Sequence, residues 1–223
     1  MTKVKSIKEY DTNIVIDNIE AIVLGSYPQL DASKNPIEWI VLDVLSDKAL
    51  LLSKYILDCM PYNSQFEETT WEKSSLRKWL NNDFYDFAFD ENDKKLIIES
   101  NVKNDIKYFG EVKGGTDTVD KVFLLSLDEV KKYFGDNDKF DKRLATCGTQ
   151  FAKNIDFNGR KLYAPIDDNE NDWYKNNSKY WLRTPGSHQT NVAGILFDGS
   201  KSEDIGSVDN KTIGVRPAVW LKL

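Results

Sequence analysis

The sequence predicts an α+β fold on three observations. Apolar and β-branched runs of strand length recur through the first half of the chain. A helical period of three and four residues runs from Ser74 to Ala88, and the run Val122-Phe123-Leu124-Leu125 feeds directly into a capped helical segment.

Taken in order, Ile14-Val15-Ile16 and Ala21-Ile22-Val23-Leu24 read as two strands, because branched side chains suit extended backbone. Gly25-Ser26-Tyr27-Pro28 reads as the turn that breaks the second. Ile37 to Leu45, a Ser46-Asp47-Lys48 turn and Ala49 to Ser53 make the clearest hairpin, and their continuous apolarity predicts burial on both faces. Leu76, Trp79, Leu80, Phe84, Phe87 and Ala88 then fall on one helical face, with Arg77, Lys78, Asn81 and Asn82 opposite. Asp90 with Asp93 suits the start of another helix, where carboxylates meet unpaired N–H groups, and Leu96, Ile97 and Ile98 would anchor it. Ser126-Leu127-Asp128-Glu129 is a capping box leading into Val130 to Phe134 before Gly135. Lys48 to Ser53 and Lys121 to Ser126 look alike, but matches of this length do not establish an internal repeat. Gly135 to Lys179 is polar, with Phe140, Leu144, Phe151, Leu162 and Tyr163 as anchors, and reads as long ordered loops.

The C-terminal stretch carries the strongest contrast. Tyr180-Trp181-Leu182-Arg183-Thr184-Pro185-Gly186 and Gly214-Val215-Arg216-Pro217-Ala218-Val219-Trp220-Leu221 bracket a polar, Gly-, Ser- and Asn-rich segment. Proline fixes φ and cannot donate to a ladder, so the residues beside each Arg-x-Pro or Arg-Pro step suit strand ends. The middle suits display, with Val192, Ile195, Leu196 and Phe197 forming one short strand within it.

Composition limits the function. A chain of 223 residues with 40% hydrophobic content buries roughly 70% of its unfolded surface, enough for one domain. We take residues 1–12 as a lead-in and 13–223 as that domain. The excess of 36 acidic over 30 basic residues disfavours a phosphate backbone as partner, so no nucleic acid is expected. Cys59 and Cys147 are far apart and His188 is the sole histidine, which leaves no disulfide framework, no Cys-rich or multi-histidine zinc site, and no expected cofactor. Each cysteine reads as a small buried hydrophobe rather than a nucleophile. Met1 to Asp11 lacks the apolar core of a signal peptide, and the longest apolar runs fall far short of the roughly 20 residues that span a bilayer. The expectation is a soluble protein without membrane insertion, cytoplasmic by the absence of a signal peptide, with export by another route or as part of a phage or surface assembly left open. Asn176-Asn177-Ser178 and Asn210-Lys211-Thr212 match the glycosylation pattern, which means little without secretion.

Two motifs fail their own chemistry. Gly110-Glu111-Val112-Lys113-Gly114-Gly115-Thr116 has the glycine spacing of a phosphate loop but no Lys after its second glycine. Asp167-Asp168-Asn169-Glu170-Asn171-Asp172 opens like a calcium loop, yet Asp172 stands where glycine is needed and Ser178 where the bidentate Glu belongs. An irregular oxygen-ligated ion there stays open.

Gly25-Ser26-Tyr27-Pro28-Gln29, Pro36 to Leu42, Ser75 to Asn81, Tyr180 to Gly186 and Gly214 to Leu221 together resemble a bacterial domain-of-unknown-function family, DUF6273, over residues 20–223. The closing pattern, aromatic-Leu-Arg-Ser/Thr-Pro-Gly and then Gly-Val-Arg-Pro-Ala, is also similar to C-type-lectin-like domains, including formylglycine-generating enzymes. That similarity implies small twisted antiparallel sheets flanked by two or three helices, long loops, and paired terminal strands. It also implies structural roles for Arg183 and Arg216, which would tie loops by several hydrogen bonds, and core roles for Trp181 and Trp220; Trp39 is likewise taken as structural, and so is Trp79, which the helical period puts on the buried face. The oxidase branch requires a cysteine pair near the C-terminus to hold copper, and no cysteine follows Cys147.

The leading expectation is a non-enzymatic recognition domain for a protein or glycan ligand. Residues 186–212 would build its face, with Ser187, His188, Gln189, Asn191, Asp198, Ser200, Glu203, Asp209 and Asn210 offering directional hydrogen bonds. The alternatives are a hydrolase using the 167–172 carboxylates with His188, and a structural module of a larger assembly.

Overall fold

The computed structural model describes residues 22–104, 112–136, 141–154, 160–162 and 176–223. The Ile14-Val15-Ile16 run, Gly110 and Glu111, Phe140, Tyr163 and the 167–172 carboxylates lie outside the described residues. In chain order the elements are β1 (Ile22–Pro28), β2 (Lys34–Val44), β3 (Lys48–Ser53), β4 (Asp58–Cys59), α1 (Ser75–Trp79), a π-helical turn (Leu80–Phe84), α2 (Tyr85–Ala88) and α3 (Glu91–Lys94). Then come β5 (Ile97–Ile98), β6 (Ser100–Val102), β7 (Thr118–Asp120), β8 (Val122–Phe123), α4 (Leu127–Phe134) and α5 (Gln150–Asn154). The chain closes with β9 (Tyr180–Pro185), β10 (Asn191–Ile195), β11 (Lys201–Ser207), β12 (Gly214–Val215) and β13 (Ala218–Lys222). The result is α+β, with curled antiparallel sheets and few helices.

β1, β2 and β3 form an antiparallel meander, and the β2–β3 turn falls at the predicted place, closed by Leu45 N–H donating to Lys48 O at 2.8 Å. β13 pairs with β3 along its whole length, and its other edge takes β5 and β8 end to end. The similar phrases Lys48 to Ser53 and Lys121 to Ser126 thus flank the same strand from opposite sides. β3 is buried on both faces, as its unbroken apolar run requires. β2 alternates instead: Ile37, Trp39 and Val41 are buried while Ile40, Leu42 and Val44 are half-buried, because it lies one strand nearer the edge of the sheet. Among the described residues the last strand does not meet the first; β1 is an edge, two strands away from β13.

Several local readings change for identifiable reasons. Gly25 is not a turn residue but a bulge inside β1. It has φ +70°, the β1–β2 register shifts between Val23 and Ser26, and a Cβ there would lie 2.6 Å from the Phe89 ring. The helix from Ser75 is broken by the π turn, which adds a residue and slips the phase. Leu76, Leu80, Phe84 and Ala88 stay in the core, Tyr85 joins them, Phe87 turns out to 46% exposure and Trp79 is only half-buried. Asn81, in that turn, docks on β8: its Oδ1 accepts from Lys121 and Val122 N–H, and its Nδ2 donates to Val122 O at 2.8 Å. Asp90 and Asp93 start a helix as expected and do so through a capping box, but the helix lasts one turn and Ile97–Ile98 go to β5. Ser126 and Glu129 cap α4, and Gly135 ends it at φ +92°. α5 stands where only loop was expected.

The second sheet has the order β11-β10-β9-β12-β4, and β6 and β7 form a separate pair. Both larger sheets feed one core whose biggest fully buried side chains include Trp39, Trp71, Trp181, Tyr62, Phe84 and Phe123. Among the described residues no helix is long and apolar enough to cross a membrane. Trp220 is half-buried rather than core, facing outward from β13 with Lys48 Nζ 4.6 Å from its ring centroid.

The phase slip separates two tryptophans in a measurable way. Trp39 is fully buried and its indole N–H donates to Leu24 O at 2.8 Å, so Trp39→Ala should cost about 3–5 kcal/mol in urea unfolding. Trp79→Ala should cost distinctly less; equal losses would place Trp79 in the core after all.

Candidate functional site

β9, β10 and β11 form the platform beneath the polar C-terminal segment. β10 is flanked by bulges on both sides: Leu182, Arg183 and Thr184 of β9, and Glu203, Asp204 and Ile205 of β11, each stand opposite the single residue Ala193. The β9 bulge turns Arg183 N–H out of the sheet to Leu125 O at 3.0 Å, which couples the platform to the start of α4. The β11 bulge brings the Asp204 carboxylate to Ser187, where it accepts both the backbone N–H and the hydroxyl. Gly194 makes this packing possible, since a Cβ there would meet Ile205 Cδ1 at 2.1 Å and Tyr180 O at 2.5 Å.

The platform distributes the nine expected ligand residues over two ends. Ser187, His188, Gln189, Asn191, Asp209 and Asn210 lie at the end where β9 and β11 finish and β10 begins. Asp198 and Ser200 form the β10–β11 turn at the other end, about 13 Å away along β10 at ~3.3 Å per residue. Glu203 is exposed between them. Several of these side chains are also occupied locally: Asp198 Oδ1 accepts from Ser200 N–H and Oγ–H, Asp209 accepts the Ser207 hydroxyl, and Asn210 Oδ1 accepts from Thr212 N–H and Oγ–H. They shape turns.

At the Asn191 end, four chain segments are tied together. Val208 N–H donates to Thr190 O at 2.8 Å, Asn63 N–H to Val208 O at 2.7 Å, and Thr69 N–H to Gln189 O at 3.2 Å. Gln189 spends its whole side-chain amide as a bracket: Nε2 donates to Thr69 O (2.7 Å) and Lys113 O (3.0 Å), and Oε1 accepts from Lys113 N–H (3.2 Å). Asn63, only 5% exposed, organises the 63–69 loop from beneath. Its Nδ2 donates to Gln65 O and Glu67 Oε1, and its Oδ1 accepts from Ser75 N–H. Above these ties, Ser64, Gln65, Phe66, Glu67, Glu68, Lys113 and His188 are exposed. The sequence marked Gln189 as a ligand group; the structure makes it a bracket. It passed over Asn63 and Phe66, although Pro61-Tyr62-Asn63-Ser64 carries a turn signal and Phe66 is an isolated aromatic in a polar run.

The flanking arginines are buried, each 3% exposed. Arg183 pairs in a fork with both Glu129 oxygens and donates to Leu124 O (2.7 Å) and Lys103 O (3.2 Å). Arg216 donates to Ser53 O, Leu144 O and Tyr180 Oη. Trp181 is fully buried, its N–H on Met60 O at 2.8 Å.

A further buried polar group lies on β4. Asp58 accepts from Tyr27 Oη–H, Arg160 Nη2 and Cys59 N–H. Burial raises its carboxyl above the usual range, against the Arg160 charge and the hydrogen bonds that favour the anion. Burial, reinforced by Asp58, pushes the Cys59 thiol up to about 12. Its S–H donates to Lys211 O, so this cysteine is poorly suited to nucleophilic work. Among the described residues no group of three or more His, Cys, Asp or Glu side chains is placed to hold a metal ion.

The chain belongs to DUF6273, a family described as a domain of unknown function, whose model matches residues 46–223. No curated protein and no solved structure matches the chain. The match takes in β3, the helices and the whole β9–β13 stretch.

The bracket and the thiol make separate predictions. Gln189→Ala leaves the carbonyls of Thr69 and Lys113 short of a donor, costing about 1–2 kcal/mol, and should speed amide exchange in the 63–69 and 112–115 segments together. Acceleration confined to residues 187–190 would mean that the bracket carries no coupling. Because the raised pKa leaves almost no thiolate at pH 8, Cys59 should resist iodoacetamide in the folded protein and react after denaturation, as read by peptide mass spectrometry.

Proposed function

We propose that this DUF6273 chain is a non-enzymatic recognition domain of C-type-lectin-like architecture that binds a protein or glycan ligand through the loops at the Asn191 end of the β9–β10–β11 platform. The observation that carries this reading is the convergence of four segments on Gln189 and Asn63. Their backbones are tied to one another while a run of side chains from Ser64 to Glu68, with Lys113 and His188, stays exposed. Loops held by buried donors and acceptors lose little conformational freedom on binding, which favours recognition by a preorganised surface. The Tyr180 to Gly186 and Gly214 to Leu221 motifs, the curled sheets and the loop-borne face support the lectin-like assignment.

The reading narrows the original face. Asp198 and Ser200 belong to the far turn and are excluded from it, whereas residues 64–68 and Lys113 are included. No observation favours the hydrolase: His188 stands exposed on a turn, and its intended carboxylate partners lie outside the described residues.

Parallel glycan and protein arrays probed with the purified chain test the proposal. A ligand whose binding falls about tenfold or more with a Ser64→Arg, Lys113→Glu, His188→Glu triple variant, yet survives Asp198→Ala, is the expected result. Equal sensitivity at both ends, or turnover of an arrayed substrate, would overturn it.

A further inference from the structure

Phe66 is 65% exposed, among the most exposed large apolar side chains described. A single exposed apolar residue is ordinary on a protein surface. Its mounting is what distinguishes it. The loop that carries it is pinned at both ends, by Asn63 N–H to Val208 O (2.7 Å) and Thr69 N–H to Gln189 O (3.2 Å). It is also braced across its middle by Glu67 N–H to Gln65 O and by Asn63 Nδ2, which reaches both Gln65 O and Glu67 Oε1 at 3.1 Å. A buried asparagine therefore builds the turn at whose apex an aromatic ring faces solvent. Burying the ring would have released apolar area from water, and the loop's own hydrogen bonds hold it out instead.

Resting on the recognition reading above, we propose that Phe66 is the apolar anchor of the face, and that its partner is a protein presenting an apolar pocket rimmed by Lys or Arg. The pocket follows from the ring, which buries a large area with few rotatable bonds, the property that makes aromatic side chains dominate binding energy at the centre of interfaces. The basic rim follows from charge complementarity: Phe66 is followed directly by Glu67 and Glu68, both exposed, on a chain of net charge -6. A glycan would need no such rim and would meet the polar groups around Lys113 and His188 instead.

Panning a phage-displayed random peptide library on the immobilised full chain tests this, with a glycan array run alongside. Enriched peptides should pair an aliphatic or aromatic residue with Lys or Arg. Phe66→Ala should weaken them by about tenfold or more, and Glu67→Gln with Glu68→Gln by about threefold at low salt, with that second difference vanishing at high salt. Phe66→Ala changes only an exposed side chain, and an unchanged melting temperature confirms that the loss is not unfolding. Peptides that bind wild type and Phe66→Ala equally, but lose binding with the Ser64, Lys113 and His188 triple variant, overturn the anchor while keeping the face. Glycans selected in place of peptides overturn the protein partner. Failure of both libraries overturns the anchor and the recognition reading together.

Discussion

The architecture depends on a two-residue step. β12 ends at Val215 in the five-stranded sheet and β13 begins at Ala218 in the six-stranded one, so Arg216 and Pro217 alone carry the chain between them. A crossing this short buries backbone that neither ladder can satisfy, and each residue meets part of that demand. Pro217 has no N–H to leave unpaired, and its carbonyl accepts Ser53 N–H at 2.9 Å. Arg216 lays a buried guanidinium across Ser53 O at the end of β3, Leu144 O and the Tyr180 hydroxyl at the start of β9. Burial raises the Tyr180 phenol, keeping it neutral, so the cation rests on dipoles from both sheets. Losing the arginine would take that donor from Ser53 O and the Tyr180 hydroxyl, while Leu144 O would still accept from Tyr180 Oη–H at 2.9 Å.

Arg183 does a comparable job one layer away. The β9 bulge frees its N–H for Leu125 O while its side chain grips Glu129, which is itself half of the α4 capping box. One carboxylate therefore caps a helix and neutralises a buried cation. The platform beneath the loops inherits its position from that link, and Tyr62, whose hydroxyl donates to Arg183 O at 3.1 Å, passes it on to the start of the 63–69 loop. The proposed face is mounted on buried charges rather than on loop composition.

Much of this was legible in the sequence where one local rule decided the outcome. Unbroken apolarity gave β3, a Ser-x-x-Glu box gave α4, and the Arg-Pro step marked a strand boundary. It failed where two rules compete. Gly25 obeys both a turn rule and a bulge rule, and only its approach to Phe89 decides between them. The helical period predicted a buried Phe87, and a π turn that docks Asn81 on β8 overrode it. In the candidate site the flanks are buried, and the polar segment between them supplies β10 and β11 as well as loops. Composition carries no register, so in the sequence its nine polar residues read as one face, whereas the β10–β11 pairing sends Asp198 and Asn191 to opposite ends.

The same pairing explains why polar richness was a poor guide to exposure of chemistry. Asp198, Ser200, Asp209 and Asn210 are rich in donors and acceptors, yet each holds a hydrogen bond to a neighbouring turn group, so part of its capacity goes to shaping the turn. Gln189 is further committed, with three bonds holding two other segments. A side chain that builds a loop and a side chain that the loop presents satisfy opposite requirements: the first must be saturated internally, the second must not. By that criterion Asn63 and Gln189 belong to the mounting. Phe66, Lys113 and His188, drawn from three segments far apart in sequence, belong to what is mounted.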